Sequence, residues 1–360
     1  MKQCFLLLFI CLNFNLKVFS QILINEYSAA NYDTYTDNYG EYEDWIELYN
    51  TGLNAVDLNG WALSDKANNP LKWIFPSSLN IPAGGVVVVY CSGRDELTGG
   101  IAHTNFKITQ TRGNEVLMLT DNNGLFQDSI RVLPNKQSHS RGRETNGSPT
   151  WSVFTTGTPN ANNAGALLEY AETPIFSQSS GYYNGNVTLN LSSSNPNNTI
   201  YYTTNGDEPD NTANVYSGPI TISNTSVIKA ITYSPQLNVP ASFIDYHTFF
   251  INDTHTIPIM SISGDRVDNL LNGNAGLEPE GTIEWFDENG ILIDKGSGEY
   301  NKHGNDSWAY DQRGFDFIMR DQFGYNNELK DKLFMTKDRD KFQRLIVKAA
   351  ANDNYNFEDG

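Results

Sequence analysis

Cysteine is scarce in this chain. Three are found in 360 residues, and two of them, Cys4 and Cys11, fall within the first twenty positions. If those positions form a removable leader, Cys91 has no intrachain partner, which excludes a disulfide framework and leaves stability to the cores. Positive charge is also sparse: 24 Lys and Arg stand against 42 Asp and Glu, a net charge of -18. That balance excludes nucleic acid and an anionic membrane surface as natural partners. The one long apolar run, Phe5 to Leu12, is too short for a spanning helix and is followed by Asn13, Asn15 and Lys17, so no membrane span is expected. Helical periodicity of the Ala-Leu-Glu-Lys kind is missing. So are a Walker-type phosphate loop, a His-Arg-Asp catalytic loop and the paired-carboxylate signature of a glycosidase cleft.

What is present begins with Lys2, the apolar run and the small-residue ending Val18-Phe-Ser20. This is the n-region, h-region and cleavage site of a secretory signal, cut before Gln21, and it predicts a secreted or cell-surface location. Ile10 stands before Cys11 where a lipobox needs a small residue, so a soluble leader is preferred to lipidation.

From Gln21 onward, short alternating runs separated by turn signals dominate. Ile22 to Glu26, Asp44 to Tyr49, Val56 to Leu58, Trp61 to Leu63, Trp73 to Phe75, Val86 to Cys91 and Val116 to Leu119 read as strands. Asn50-Thr-Gly52, Asn59-Gly60, Pro82-Ala-Gly-Gly85 and Asp121-Asn-Asn-Gly124 supply the turns between them. This spacing predicts an antiparallel sandwich, with Cys91 as a small core residue rather than a reactive thiol. Ile24-Asn-Glu26, Asp44-Trp-Ile-Glu-Leu-Tyr-Asn50, Val56 to Asp65, Ile81-Pro-Ala-Gly-Gly85, His103-Thr-Asn-Phe106, Ser140-Arg-Gly142 and Thr158-Pro-Asn-Ala161 together resemble the lamin-tail domain. The resemblance implies an immunoglobulin-like sandwich over residues 21–165, used for attachment or interaction.

The loop after the first strand crowds Asp33, Asp37, Glu41, Glu43 and Asp44 with Tyr32, Tyr35, Tyr39 and Tyr42. Carboxylates ligate hard cations and aromatic faces stack on sugars, but the spacing matches no ligand motif, and a long solvated loop is the preferred reading. His103 and His139 are single histidines without a second ligand nearby in sequence. Asn160 to Ala166 reads as a linker.

Strand runs resume at Pro174 to Phe176, Val187 to Leu191, Thr199 to Thr204, Pro219 to Ile222 and Val227 to Tyr233. Gly181-Tyr-Tyr, Ile200 to Pro209, Tyr216-Ser-Gly-Pro-Ile220 and Ile228-Lys-Ala230 resemble the C-terminal domain of chitobiases and hexosaminidases, which implies a second immunoglobulin-like sandwich over residues 173–250. Asn205-Gly-Asp207 is a hairpin turn before it is a calcium site, because EF-hand spacing is lacking.

The last region, residues 257–360, reads as a mixed sheet with a short helix starting near Asp265 to Leu271. Ile257-Pro-Ile-Met-Ser-Ile262, Ile283 to Gly290, Lys302-His-Gly304, Asp321-Gln-Phe-Gly-Tyr325 and Leu345 to Asp353 resemble the amino-terminal part of CotH kinase-like domains, secreted atypical kinases. The resemblance implies an incomplete α+β domain whose acidic catalytic residues lie further on. ATP and a divalent metal are thereby implied for a longer parent, none for this chain, and no catalytic residue is assigned. A phosphate must be met by Lys or Arg, and Lys302, Arg313 and Lys348 are the strand-associated cations. Arg313 is preferred, because family members carry a lysine near this position, although Arg meets phosphate as a fork and Lys as a point charge. Asn352-Asp353 has two readings, a metal or nucleotide contact and a helix N-cap.

The chain is therefore expected to be mainly β: two tandem immunoglobulin-like sandwiches, then an incomplete α+β domain. Its function reads as the amino-terminal fragment of a secreted, surface-associated kinase-like protein, inactive by itself. The competing readings are a non-catalytic adhesion or carbohydrate-interaction protein, and, lower in rank, a parent in polysaccharide processing. The partner is expected to be an extracellular protein or cell-surface component.

Overall fold

The computed structural model of the chain describes residues 21–304, 308, 313–334 and 336–348. The proposed leader and Asn352-Asp353 lie outside the described residues. Strand dominates, as the short alternating runs require. In the first part, a seven-stranded sheet runs in the order Trp151–Phe154, Ser140–Arg143, Ile22–Ser28, Trp45–Asn50, Val86–Tyr90, Ile101–His103 and Glu96–Thr98. It faces a four-stranded sheet ordered Phe126–Arg131, Val116–Thr120, Ala62–Ser64 and Trp73–Ile74. Between them lies a core of Ile22, Ile24, Tyr27, Ile46, Leu48, Leu63, Trp73, Phe75, Val89, Leu117 and Leu119. Cys91 belongs to this core, fully buried, and burial pushes its thiol well above the ordinary value.

The outer face of the seven-stranded sheet is also covered, which is why Trp45–Asn50 is buried at five of its six positions. Tyr35 lies edge-on to Trp45 at 6.2 Å and stacks on Tyr90 at 6.0 Å. The acidic, tyrosine-rich loop is thus solvated in part, as expected, with Asp33, Tyr39, Glu41 and Tyr42 exposed, and packed in part, with Asn31, Asp37 and Asp44 buried and Tyr35 half-buried. Asp37 accepts backbone N–H bonds from Tyr39 and Glu41 at 2.8 and 2.9 Å, and Asn31 Nδ2 donates to the carbonyls of Tyr35 and Glu43. Local carboxylate and amide caps of this kind give a loop the backbone partners that a strand would otherwise supply.

The second part builds a five-stranded sheet in the order Gly181–Tyr183, Asp245–Ile251, Ser226–Tyr233, Thr199–Thr203 and Asn214–Val215, with the pairs Val187–Leu189 with Ile220–Ile222 and Ile175–Phe176 with Leu191–Ser192 beside it. Val187, Leu189, Ile200, Ile222, Ile228, Phe249 and Ile251 fill its core. The stretch read as a linker is tied down at both ends. Asn163 is buried against the first sheet, Leu167 bridges Val153, and Leu168 and Ala171 donate to the carbonyls of Asn238 and Pro240.

Among the described residues the third sheet is antiparallel throughout, where a mixed sheet was expected: Ile259–Ser263, Glu280–Phe286, Leu292–His303, Gly314–Met319 and Arg344–Val347 in that order. Helix in this part includes Val267–Leu271 and the 3-10 turn Asp321–Phe323. Val267 and Leu270 lay the helix on a core of Ile283, Tyr300, Phe315, Phe317, Met319 and Leu345.

Candidate functional site

The three parts meet through polar contacts that are partly buried. From the third part, the Asp321 carboxylate accepts N–H bonds from Gln110 and Thr111 at 2.7 and 3.1 Å, and Tyr32 donates to Glu299. Toward the second part, Glu284 accepts from Ser180 at 2.6 Å and from Thr248, while Tyr325 accepts the Ile244 N–H at 2.8 Å. Hydrogen bonds to carboxylates contribute about 1.5–3 kcal/mol each and one to a neutral hydroxyl such as Tyr325 about 0.5–1.5, so these contacts orient the sheets and do more than fill space.

Two hollows open where the parts converge. A groove of about 1000 Å³ is lined by Arg141, Glu169 and Tyr170 from the first part and its connector, by Ile175, Phe243 and Asp245 from the second, and by Lys295, Tyr325, Asn326 and Lys330 from the third. Arg141 forms a two-pronged pair with the exposed Glu169 at 2.6 and 2.8 Å, and that pair holds Glu169 below its ordinary value against a partial loss of water that would raise it. Beside the groove, sharing the wall of Phe243, Ile244, Tyr246 and Tyr325, lies a cavity of about 220 Å³ that Lys136, Gln137, Glu208 and Glu280 also line. Burial alone lowers Lys136 to about 8. His139 stacks on Tyr170 at 5.8 Å, and burial together with Lys136 brings it down to about 4, so it is neutral at physiological pH.

A second polar cluster sits on the outer face of the first sheet. A bulge between Ile24 and Glu26 leaves Asn25 without a cross-strand partner and sets Glu26 opposite Glu47. Glu47 accepts from Asn25 Nδ2 at 2.9 Å and from the Asn160 N–H at 2.7 Å. Glu26 accepts from Ser140, and from the N–H and hydroxyl of Thr158. Burial raises both carboxyls, Glu47 to about 8, with the neighbouring Glu26 charge adding to the effect. The cluster fastens the turn 157–163 over the sheet. Sequence reading placed Glu26 and Glu47 inside strand motifs but missed their pairing. The one signal available was two acidic residues within otherwise apolar strands.

The cations proposed to face phosphate divide between two uses. Phe315 pairs with both Lys302 and Val347, so Lys302, Arg313 and Lys348 leave the sheet at the same end. Arg313 donates from Nη1 to the Leu271 carbonyl at 2.9 Å, closing the end of the short helix. Lys302 lies 5.3 Å from the Trp308 ring centre and Arg313 lies 6.0 Å from it. Lys348 is exposed just beyond the last described strand. Of the two histidines, His103 is held by Ser92 and Asn38 at 2.9 and 2.8 Å. Among the described residues, no group of three or more His, Cys, Asp or Glu is placed to hold a metal ion. None of the described helices is long and apolar enough to cross a membrane.

No curated protein matches the chain. Family models do match two of its parts. The strands Ser140–Arg143 and Trp151–Phe154 extend the first sheet beyond the end of the first match, and Asp245–Ile251 extends the second sheet beyond the end of the second. The chain carries a Lamin Tail Domain, matched over residues 17–133, followed by a Chitobiase/beta-hexosaminidase C-terminal domain, matched over residues 178–243.

Proposed function

We propose that this chain is an extracellular, surface-associated recognition protein whose two sandwiches and third sheet jointly present the junction groove to a saccharide. The observation that carries the reading is the groove itself: it has walls from all three parts, aromatic rings beside charged and amide side chains, and room for several sugar rings. The secretory pattern of the first twenty residues supports the location. The test is affinity electrophoresis of the purified protein through gels loaded with cell-wall polysaccharides, compared with Ile175→Asp and Lys330→Glu, two exposed groove positions. Retardation by at least one polysaccharide that weakens in both variants is expected. Equal retardation of variants and parent, or none on any gel, rejects the reading.

A second reading, phosphate transfer by a CotH-like domain, draws support from the shared sheet end of Lys302, Arg313 and Lys348. The hydrogen bond of Arg313 to the helix end gives that residue a structural role at the same time. Equilibrium binding of labelled ATP with magnesium separates the two readings, since the chain is expected to be inactive in transfer by itself. Binding that Lys348→Ala weakens would favour the second.

A further inference from the structure

We propose that the cavity of about 220 Å³ beside the groove binds one pyranose ring bearing a carboxylate, with Lys136 as its counter-ion. The proposal deepens the saccharide reading and rests on it. Among the described residues, the Lys136 ammonium makes no ion pair or hydrogen bond; the ring centres of Tyr170 and Phe243 each lie 6.0 Å from Nζ. An ammonium taken partly out of water without an anion is disfavoured, and its lowered pKa is the same statement in another form. A bound carboxylate reverses that cost.

The other walls select the rest of the ligand. Glu208 lines the cavity while paired to the fully buried Lys229 at 2.6 Å, and Glu280 lines it while accepting from Gln137 at 3.0 Å. Two carboxylates near the site repel a dianion such as a phosphate ester but accept hydrogen bonds from hydroxyls. One negative charge surrounded by hydroxyl donors therefore fits better than two. Thr282 and Ser297 add hydroxyls of their own, and Phe243, Tyr246 and Tyr325 offer apolar surface to the C–H groups of a sugar ring. The volume falls below the roughly 300–1000 Å³ of sites for drug-sized ligands, which leaves room for one ring and not for a chain.

The experiment is isothermal titration of the full chain with glucuronate, glucose, glucosamine and glucose 6-phosphate, repeated for Lys136→Met and Lys136→Arg. Glucuronate is expected to bind at least about tenfold tighter than glucose, the equivalent of about 1.4 kcal/mol. Lys136→Met should erase that preference and Lys136→Arg should keep most of it. Equal binding of glucuronate and glucose, tighter binding of glucosamine or of glucose 6-phosphate, or no binding of glucuronate overturns the proposal. If Lys136→Met does not fold, as judged by thermal unfolding, Glu280→Gln takes its place. It should weaken glucuronate and glucose alike, and an unchanged affinity for both counts against the site. Loss of this preference alongside retained, groove-dependent retardation on polysaccharide gels rejects the cavity assignment alone. Absence of both rejects the saccharide reading as well.

Discussion

Lys295→Met tests whether the second and third sheets are joined by charge. Lys295 sits in the strand Leu292–His303 and reaches Asp245, at the start of Asp245–Ile251, with Nζ 2.7 Å from Oδ1. The same ammonium donates to the Tyr246 carbonyl at 3.0 Å and lies 4.3 Å from the centre of its ring. Burial alone would raise Asp245, but hydrogen bonds and charge from His247 and Lys295 hold it at about 2 against an ordinary 3.8. A depressed folded pKa means stability that is present above the unfolded value and is lost as pH falls through the folded one. This difference corresponds to about 2 kcal/mol at neutral pH. Because His247 supplies part of it and both partners are 30% exposed, Lys295→Met is expected to cost about 1–2 kcal/mol, less than the 3–5 of a fully buried pair. Urea unfolding of the parent, Lys295→Met, Asp245→Asn and the double variant closes the cycle. A coupling of at least about 1 kcal/mol at pH 7, shrinking by about half at pH 3, is expected. Coupling below about 0.5 kcal/mol at pH 7, or the same coupling at both pH values, would refute the argument.

Two further outcomes follow from buried groups elsewhere. Glu47 has a raised folded value, so its contribution to stability is complete below the unfolded value of 4.5 and is lost as pH rises toward about 8. Glu47→Gln should flatten that decline and be more stable than the parent at pH 8 by about 1–2 kcal/mol, after allowing for the acceptor lost to either Asn25 Nδ2 or the Asn160 N–H, since an amide has one oxygen; parallel stability profiles across pH 5 to 9 would reject this. Gly290, at φ +75°, has the Tyr182 ring where a Cβ would stand. Gly290→Ala should cost about 2–3 kcal/mol, with part of the loss recovered by adding Tyr182→Ala, since overpacking and left-handed strain contribute separately. Thermal unfolding that shows no recovery in the double variant would mean that the contact does not matter.

The recognition proposed at the junction requires sheets held at fixed angles. The groove has walls from three parts of the chain, so any change that loosens Asp321, Glu284 or Lys295 should weaken binding without touching a groove side chain. That separates a composite site from one carried by a single domain.

Local sequence determined the strands and the two matched domains. Runs such as Trp45–Asn50 and Val86–Tyr90 alternate or stay apolar between glycine- and asparagine-bearing turns, and backbone periodicity depends on near neighbours. It did not reveal Asp245–Ile251 as a strand, although this segment pairs with Ser226–Tyr233 on one side and runs parallel to Gly181–Tyr183 on the other. Asp245 and His247 interrupt its apolar pattern, and of the partners that make it a strand Gly181–Tyr183 is distant in the chain. Arg313 illustrates the same limit: its sequence context suggests a cation available to phosphate, while the fold brings the Leu271 carbonyl to it. The Glu26 and Glu47 pair depends on a one-residue bulge at Asn25, which no periodicity announces. Lys136, Glu208, Phe243, Glu280 and Tyr325 become neighbours only because three sheets dock. Composition and spacing decide what each segment becomes. Which charges lose water together is decided by long-range packing, and so the site belongs to the tertiary structure.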